Sequence, residues 1–292
     1  MTVNEIFKDL IEMKTLAKLL TAAALSSALL AGPVLAAGKA KNAKDIAFSF
    51  EGPFGTYDRA QLQRGFQVYK EVCAACHSAN LLSYRNLGEH GGPEFSEAQV
   101  KAIAAEVEVQ DGPNEEGEMF DRPGRPSDKF KAPFSNDNEA RASNGGALPP
   151  DLSLITKARE GFHYPWYVSP FIKMWTGNGG PEYVHAVLTG YSDPPADKAA
   201  EAPEGRSYNP YFAAGPWISM APPLSDDGVE YSDGTAATVD QQAKDVAAFL
   251  AWAAEPKMEE RKSLGLQVMI YLLILAMLLY LVKLKLWRDV EH

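Results

Sequence analysis

Val72-Cys73-Ala74-Ala75-Cys76-His77 is the stretch on which the reading of this chain turns. It contains both cysteines of the chain. Cys-x-x-Cys-His is the spacing at which two thiols attach to the edge of a c-type haem while the following histidine offers its imidazole to the iron. Two other readings compete. A zinc site needs a second ligand pair at metal-binding spacing, yet His90, His163, His185 and His292 stand singly. A dithiol redox pair gives the adjacent histidine no role. With no cysteine left over, there is no disulfide framework.

Upstream of the motif, Leu62, Phe66, Tyr69 and Val72 recur at helical spacing behind Asp58, a good N-cap, so one helix delivers Cys73 to the porphyrin edge. Downstream, Ser96 and Gln99 make a capping-box pattern ahead of Val100, Ile103 and Ala104. Residues 111–146 are polar and proline-punctuated, which predicts an extended excursion. Short helices follow at Leu152 to Arg159 and at Pro181 to Leu188, the second closed by Gly190. Thr238 and Gln241 open a longer helix with a stripe of Val246, Phe249, Leu250 and Ala253, stopped by Pro256. That stripe predicts packing against the first helix. The 20 prolines and 23 glycines imply long irregular connections. No internal repeat is visible, and strands are expected only as short hairpins. The expected fold is mostly α, with long loops around one haem.

Both ends carry membrane signals. Lys14 and Lys18 precede an apolar run from Leu19 to Leu35 that ends in Val34-Leu35-Ala36, the pattern of a secretory signal peptide cleaved after Ala36 or Ala37. Met13 begins a more typical signal, so residues 1–12 read as an upstream extension. Leu264 to Val282 is 19 residues without a charge, the length of one spanning helix. Flanking charges (Arg261 and Lys262 before it; Lys283, Lys285 and Arg288 after) do not orient it. The signal peptide does. The expected layout is a signal peptide over 1–36, a periplasmic haem domain over 37–262, an anchor over 263–283 and a cytoplasmic tail over 284–292 in a bacterial inner membrane.

The formal net charge is -10; the first 36 residues balance and the last ten sum to +1, so the segment between carries -11. A domain this acidic is no nucleic-acid binder. It favours a cationic partner drawn by electrostatic steering.

If His77 takes one face of the iron, methionine is the usual ligand opposite, because a Met/His pair raises the potential. Outside the leader and the anchor the candidates are Met119, Met174, Met220 and Met258. Met220 lies in Trp217-Ile218-Ser219-Met220-Ala221-Pro222-Pro223, an apolar loop stiffened by two prolines, and is favoured. Met174 is the next choice. His185 offers a bis-histidine alternative, against the plainer reading of a hydrogen-bonded helix histidine. Arg159, after the turn-rich Gly145 to Asp151, is a candidate partner for the haem propionates or a solvated surface arginine.

Taken together these residues resemble the cytochrome c1 family, the haem subunit of ubiquinol:cytochrome c oxidoreductase, the bc1 complex. The resemblance rests on Phe48-Ser49-Phe50-Glu51-Gly52-Pro53-Phe54-Gly55, the haem motif, Gly146 to Asp151 with Lys157-Ala158-Arg159, Leu188-Thr189-Gly190-Tyr191, Met220-Ala221-Pro222-Pro223, and Asp245 to Pro256 leading into the anchor. It implies a class I cytochrome c-like haem domain with one covalent haem c, Met220 as the second iron ligand and Arg159 as the propionate partner. It also implies that Asn144, Ala147, Pro149, Pro150, Ile155, Tyr183, Leu188, Phe212, Ile218 and Pro223 surround the haem. The implied partners are cytochrome b, the Rieske iron-sulfur protein and a soluble basic cytochrome c, within a dimeric complex in the bilayer. The acidic residues from Glu106 through Glu118, with Asp226, Asp227, Glu230 and Asp233, are candidates for docking the soluble carrier or for plain solvation. Some bacterial relatives brace the methionine loop with a disulfide. This chain has no cysteines for one.

Two other functions remain in view. A haem enzyme or gas sensor needs an open iron position, against which Met220 stands. A tethered shuttle needs a long flexible linker, whereas only Glu255 to Ser263 separates the last predicted helix from the anchor.

Overall fold

The computed structural model describes residues 40–165, 167, 168, 173 and 177–288. The predicted signal peptide, Met174 and the last four residues of the tail lie outside the described residues.

Helix α1 (Arg59–Glu71) starts where the Asp58 carboxylate accepts the Gln61 N–H at 3.1 Å. It buries Leu62, Phe66 and Tyr69, the stripe its spacing predicts. A 3-10 turn, Cys73–Ala75, breaks the helix so that the chain folds back, with the His77 N–H donating to the Cys73 carbonyl at 2.9 Å. Helix α2 (Glu97–Ala105) opens on the expected capping box: Ser96 Oγ accepts the Gln99 N–H, and Gln99 Oε1 accepts the Ser96 N–H.

The excursion is more ordered than its composition predicts. Strands β1 (Glu108–Asp111) and β2 (Phe120–Pro123) pair antiparallel, and α3 (Asp137–Ser143) is capped by Asn136. Arg122 closes the hairpin by pairing with Asp111 and with Asp128, whose carboxyl this guanidinium holds down at about 2. Helix α4 (Ile155–Ala158) is shorter than the predicted Leu152 to Arg159. The Leu152–Ser153 end is instead drawn into bonds with the haem-motif segment.

Helix α5 (Gly180–Thr189) leads through a short α6 (Ala196–Ala199) to a second hairpin, β3 (Ser207–Tyr208) with β4 (Trp217–Ile218). Helix α7 (Val239–Ala254) then returns through the middle of the domain, capped by Thr238 as predicted.

The core is the crossing of α1 and α7, with α5 against α7's other side. Phe66 and Tyr69 lie 5.7 and 5.6 Å, centroid to centroid, from Phe249, whose ring also meets Trp252. The crossing is close because Gly65 has no side chain: a Cβ there would sit 2.1 Å from the Asp245 carbonyl oxygen. Asp245 itself is fully buried. Its carboxylate accepts from Arg64 at 2.9 Å, Gln61 at 3.2 Å and Gln241 at 2.8 Å, so the charge is paired and its lone pairs are met.

Helix α8 (Met258–Trp287) is 30 residues of continuous helix, about 45 Å, longer than the predicted apolar run because it begins at the domain surface. It is long and apolar enough to cross a membrane, and its side chains from Ser263 to Trp287 are uncovered. Its foot is fastened to the domain. Met258 is buried in the core, Glu259 holds Arg59 through two 2.8 Å bonds and accepts the Tyr57 N–H, and Lys262 donates to the Phe50 and Gly55 carbonyls.

Candidate haem site

The attachment motif lies at the C-terminal end of α1, where helix carbonyls point toward it. Cys73 turns inward against the core and Cys76 is exposed; neither is in a disulfide. Burial, with Cys76 nearby, pushes the Cys73 thiol up to about 12. Redox dithiols use the opposite arrangement, a thiol lowered at a helix N-terminus. Among the described residues neither thiol joins a cluster able to hold a metal ion. Both observations count against the competing readings, and the two thiols are unpaired and three residues apart, as thioether attachment requires.

His77 is oriented through its inner nitrogen. Nδ1 lies 2.8 Å from the Pro150 carbonyl oxygen, which fixes Nδ1 as the protonated donor and leaves Nε2 with a free lone pair. Burial holds the imidazole below its usual pKa, although that hydrogen bond works the other way. Pro150 is held in turn. Asp151 accepts from Ser78 Oγ, Asn80 N and Ser153 N at 2.8–2.9 Å, and the Leu152 N–H donates to the Ser78 carbonyl. Burial tends to raise the Asp151 carboxyl, but these donors keep it below the usual range. The carbonyl that aims His77 thus sits in a strip stitched on both sides.

Met220 is half-buried on the edge of the core. The Tyr191 hydroxyl donates to its carbonyl at 3.1 Å, reaching back from the end of α5. The loop's base is the β3–β4 hairpin, where Asn209, fully buried, donates to the Val187 carbonyl at 2.7 Å and ties the hairpin to α5. These bonds brace the loop without a disulfide. Among the other methionines, Met119 is 53% exposed in the β1–β2 loop and Met258 is buried at the foot of α8, which leaves Met220 the placement suited to a haem pocket among the described residues.

Arg159 follows α4 in extended backbone, half-buried, and its one hydrogen bond among the described residues is to the Ala158 carbonyl at 3.0 Å. No carboxylate there pairs with it. Ile155, Tyr183 and Ile218 are buried, and the Tyr183 hydroxyl accepts the Ala213 N–H next to Phe212. Leu188, Phe212, Ala147, Pro149 and Pro223 are half-buried, and Pro150 is exposed. The Asn144 amide is engaged locally, donating to the Ala140 carbonyl at the end of α3. His185 is buried and bonded through Nε2 to Asp240 at 3.0 Å, in keeping with the plainer reading of a hydrogen-bonded helix histidine.

The residues present fit a haem. Val72, Cys73, Leu188, Phe212 and Met220 pack against the core on one side while their other side is uncovered, and Leu81, Leu148 and Leu154 are 58, 37 and 47% exposed. An apolar macrocycle attached at Cys73 and Cys76 is the natural cover for such surface. Asn209 and the hairpin it holds were not foreseen from sequence. The only signal is a pair of two-residue aromatic strands, too short to read as periodicity.

Comparison with known proteins bears on the same residues. The family model described as the cytochrome C1 family matches residues 48–290. A protein of Bradyrhizobium diazoefficiens named cytochrome b/c1 is 53% identical over 243 residues, covering 83% of this chain and 35% of the relative. Cytochrome c1 of Rhodospirillum rubrum is 46% identical over 283 residues, covering 90% of this chain and 96% of its own length. A mitochondrial cytochrome c1 heme protein of Arabidopsis thaliana is 52% identical over 228 residues, covering 78% of this chain and 66% of its own. The chain thus spans about a third of the Bradyrhizobium relative and nearly all of the Rhodospirillum one.

Proposed function

Because this chain belongs to the cytochrome c1 family, we propose that it is the fixed electron relay of a bc1 complex, taking electrons from the Rieske iron-sulfur protein and passing them to a soluble basic cytochrome c. The cofactor is the family's single covalent haem c, which supplies a one-electron iron couple when bound. Cys73 and Cys76 hold it, His77 and Met220 ligate the iron, and Arg159 pairs with a propionate. The protein's part is to keep those ligands still, so that little rearranges when the charge changes. The Pro150 carbonyl sets the imidazole plane, Tyr191 holds the methionine loop, and the apolar rim excludes water, which sets the potential. No substrate pocket is needed, so the chain acts in an oxidoreductase only as one of its subunits.

The foot of α8 carries the reading of a fixed relay. Only Glu255 to Lys257 separates α7 from α8, and Arg59–Glu259 and Lys262 lock the junction, which is the reverse of a shuttle's flexible tether. The predicted signal peptide supports a periplasmic haem domain. Of the acidic residues, Glu106, Asp111 and Asp233 are already paired with Lys70, Arg122 and Arg64, whereas Glu108, Glu115, Glu116, Glu118, Asp226, Asp227 and Glu230 are exposed without an ion-pair partner among the described residues. The unpaired carboxylates are the better docking candidates. Purification in mild detergent tests the reading: co-isolation with a cytochrome b and an iron-sulfur subunit supports it, and isolation of the holo-chain alone overturns it.

A further inference from the structure

Among the described residues the haem site leaves a buried carboxyl group unexplained. Glu182, on the first turn of α5, is 3% exposed, and its Oε2 has no hydrogen-bond partner. A carboxylate oxygen buried and bare is costly unless something cationic meets it. Two further carboxylates converge on it. Oxygen atoms of Asp45, Glu51 and Glu182 all lie within 4.8 Å of one another, Asp45 from the exposed N-terminal segment and Glu51 half-buried beside it. We propose that Asp45, Glu51 and Glu182 form a binding site for a hard divalent cation of the calcium class.

The geometry admits the ion. Calcium–oxygen distances are about 2.3–2.6 Å, so two oxygens on opposite sides of one calcium stand about 4.6–5.2 Å apart, and three within 4.8 Å can share it. The donor set selects the class. All three are oxygens, with no imidazole or thiolate for zinc or copper. Three carboxylates exceed the one or two that magnesium usually takes. Asp45 leaves the outer side open for water to complete the shell.

The local charges point the same way. Burial, then Glu51 and Asp45, push the Glu182 carboxyl up to about 7, and burial also raises Glu51. Lys244, which draws the Glu51 carboxyl downward, has its Nζ over the Phe48 ring, 5.9 Å from its centroid. The site is also preformed. Glu51 Oε1 accepts the Phe48 N–H at 3.0 Å. The start of α5 is fixed because Gly180 lies so close to the Thr156 carbonyl that a Cβ would stand 1.7 Å from it. A bound cation would pin the 45–51 segment, continuous with the Phe50 carbonyl that Lys262 holds, to the helix that carries Tyr183 and Leu188 to the haem edge.

Calorimetric titration of the full holo-chain in detergent, first stripped with a chelator, with calcium chloride and separately with magnesium chloride, tests the site. The expected result is one saturable calcium site with a dissociation constant on the order of 10⁻⁴–10⁻³ M, as in extracellular calcium modules, and weaker magnesium binding. D45N, at an exposed position, and E182Q should each weaken calcium about tenfold or more, and calcium should raise the melting temperature of the parent but not of E182Q. In chelator the order should invert near neutral pH, E182Q being the more stable protein because it neither buries a charge nor has to take up a proton to avoid one. Absence of saturable binding up to about 20 mM, far above that range, or affinity unchanged in both variants, would overturn the site.

Discussion

Tyr191→Phe removes one hydroxyl and tests how the methionine loop is held. That O–H donates to the Met220 carbonyl at 3.1 Å, and both residues are half-buried. Water can therefore reach the abandoned carbonyl, so the cost is that of a neutral hydrogen bond, about 1 kcal/mol, rather than of an unsatisfied buried acceptor. If the loop exchanges between a closed form, with the sulfur on the iron, and an open one, about 1 kcal/mol raises the open fraction roughly fivefold. An external ligand that competes with the sulfur binds only the open form. Imidazole titrated into the ferric holo-protein, followed by its visible spectrum, should therefore bind Y191F about fivefold more tightly than the parent. The effect should not change with pH below the ordinary tyrosine range, because burial raises the Tyr191 hydroxyl further and keeps it protonated. Equal imidazole affinity in the two proteins would refute the bracing role, and tighter closure in Y191F would reverse it.

Three further outcomes follow from other parts of the molecule. G65A should separate α1 from α7, since its Cβ would meet the Asp245 carbonyl oxygen at 2.1 Å; the expected loss is about 1–3 kcal/mol or more, read by denaturant unfolding of the holo-protein. E259A should leave the haem spectrum intact but detach the foot of α8 from Arg59, which keeps Glu94, and from the Tyr57 N–H, so limited proteolysis should cut the α7–α8 junction faster than in the parent. In chelator, the raised carboxyl of Glu182 means the native state holds a proton that the unfolded chain has released, so stability should fall as pH rises from about 4.5 to 7, by about 3 kcal/mol at most. Glu51, Asp45 and Lys244 face the same point and modulate the slope, and E182Q should flatten the profile.

The sequence disclosed the helices whose ends are written in side chains. Asp58, Ser96 and Thr238 cap the helices they were expected to cap, because N-capping is a local bond between neighbours. The haem attachment and the anchor were legible for a similar reason, since one needs fixed spacing and the other fixed length. The arrangements that hold the site were not. His77 meets the Pro150 carbonyl 73 residues away, and Asn209 meets Val187 through a backbone oxygen that any residue has. Nothing in residue identity marks such an acceptor. The ordered hairpin at 108–123 was hidden because its stability comes from Arg122 bridging Asp111 and Asp128, in a stretch whose polarity reads as loop. Glu182 was hidden as well, since a glutamate on the first turn of a helix is ordinary until its burial is known.

The central claim is that His77 and Met220 close both faces of a covalently held iron, making the chain a carrier of electrons rather than a binder of substrates. Carbon monoxide added to the reduced protein tests it most directly. The parent should keep its spectrum, and M220L should bind the gas and fall in midpoint potential, as loss of a Met/His pair requires. Ready binding by the parent, with M220L no different from it, would contradict the account.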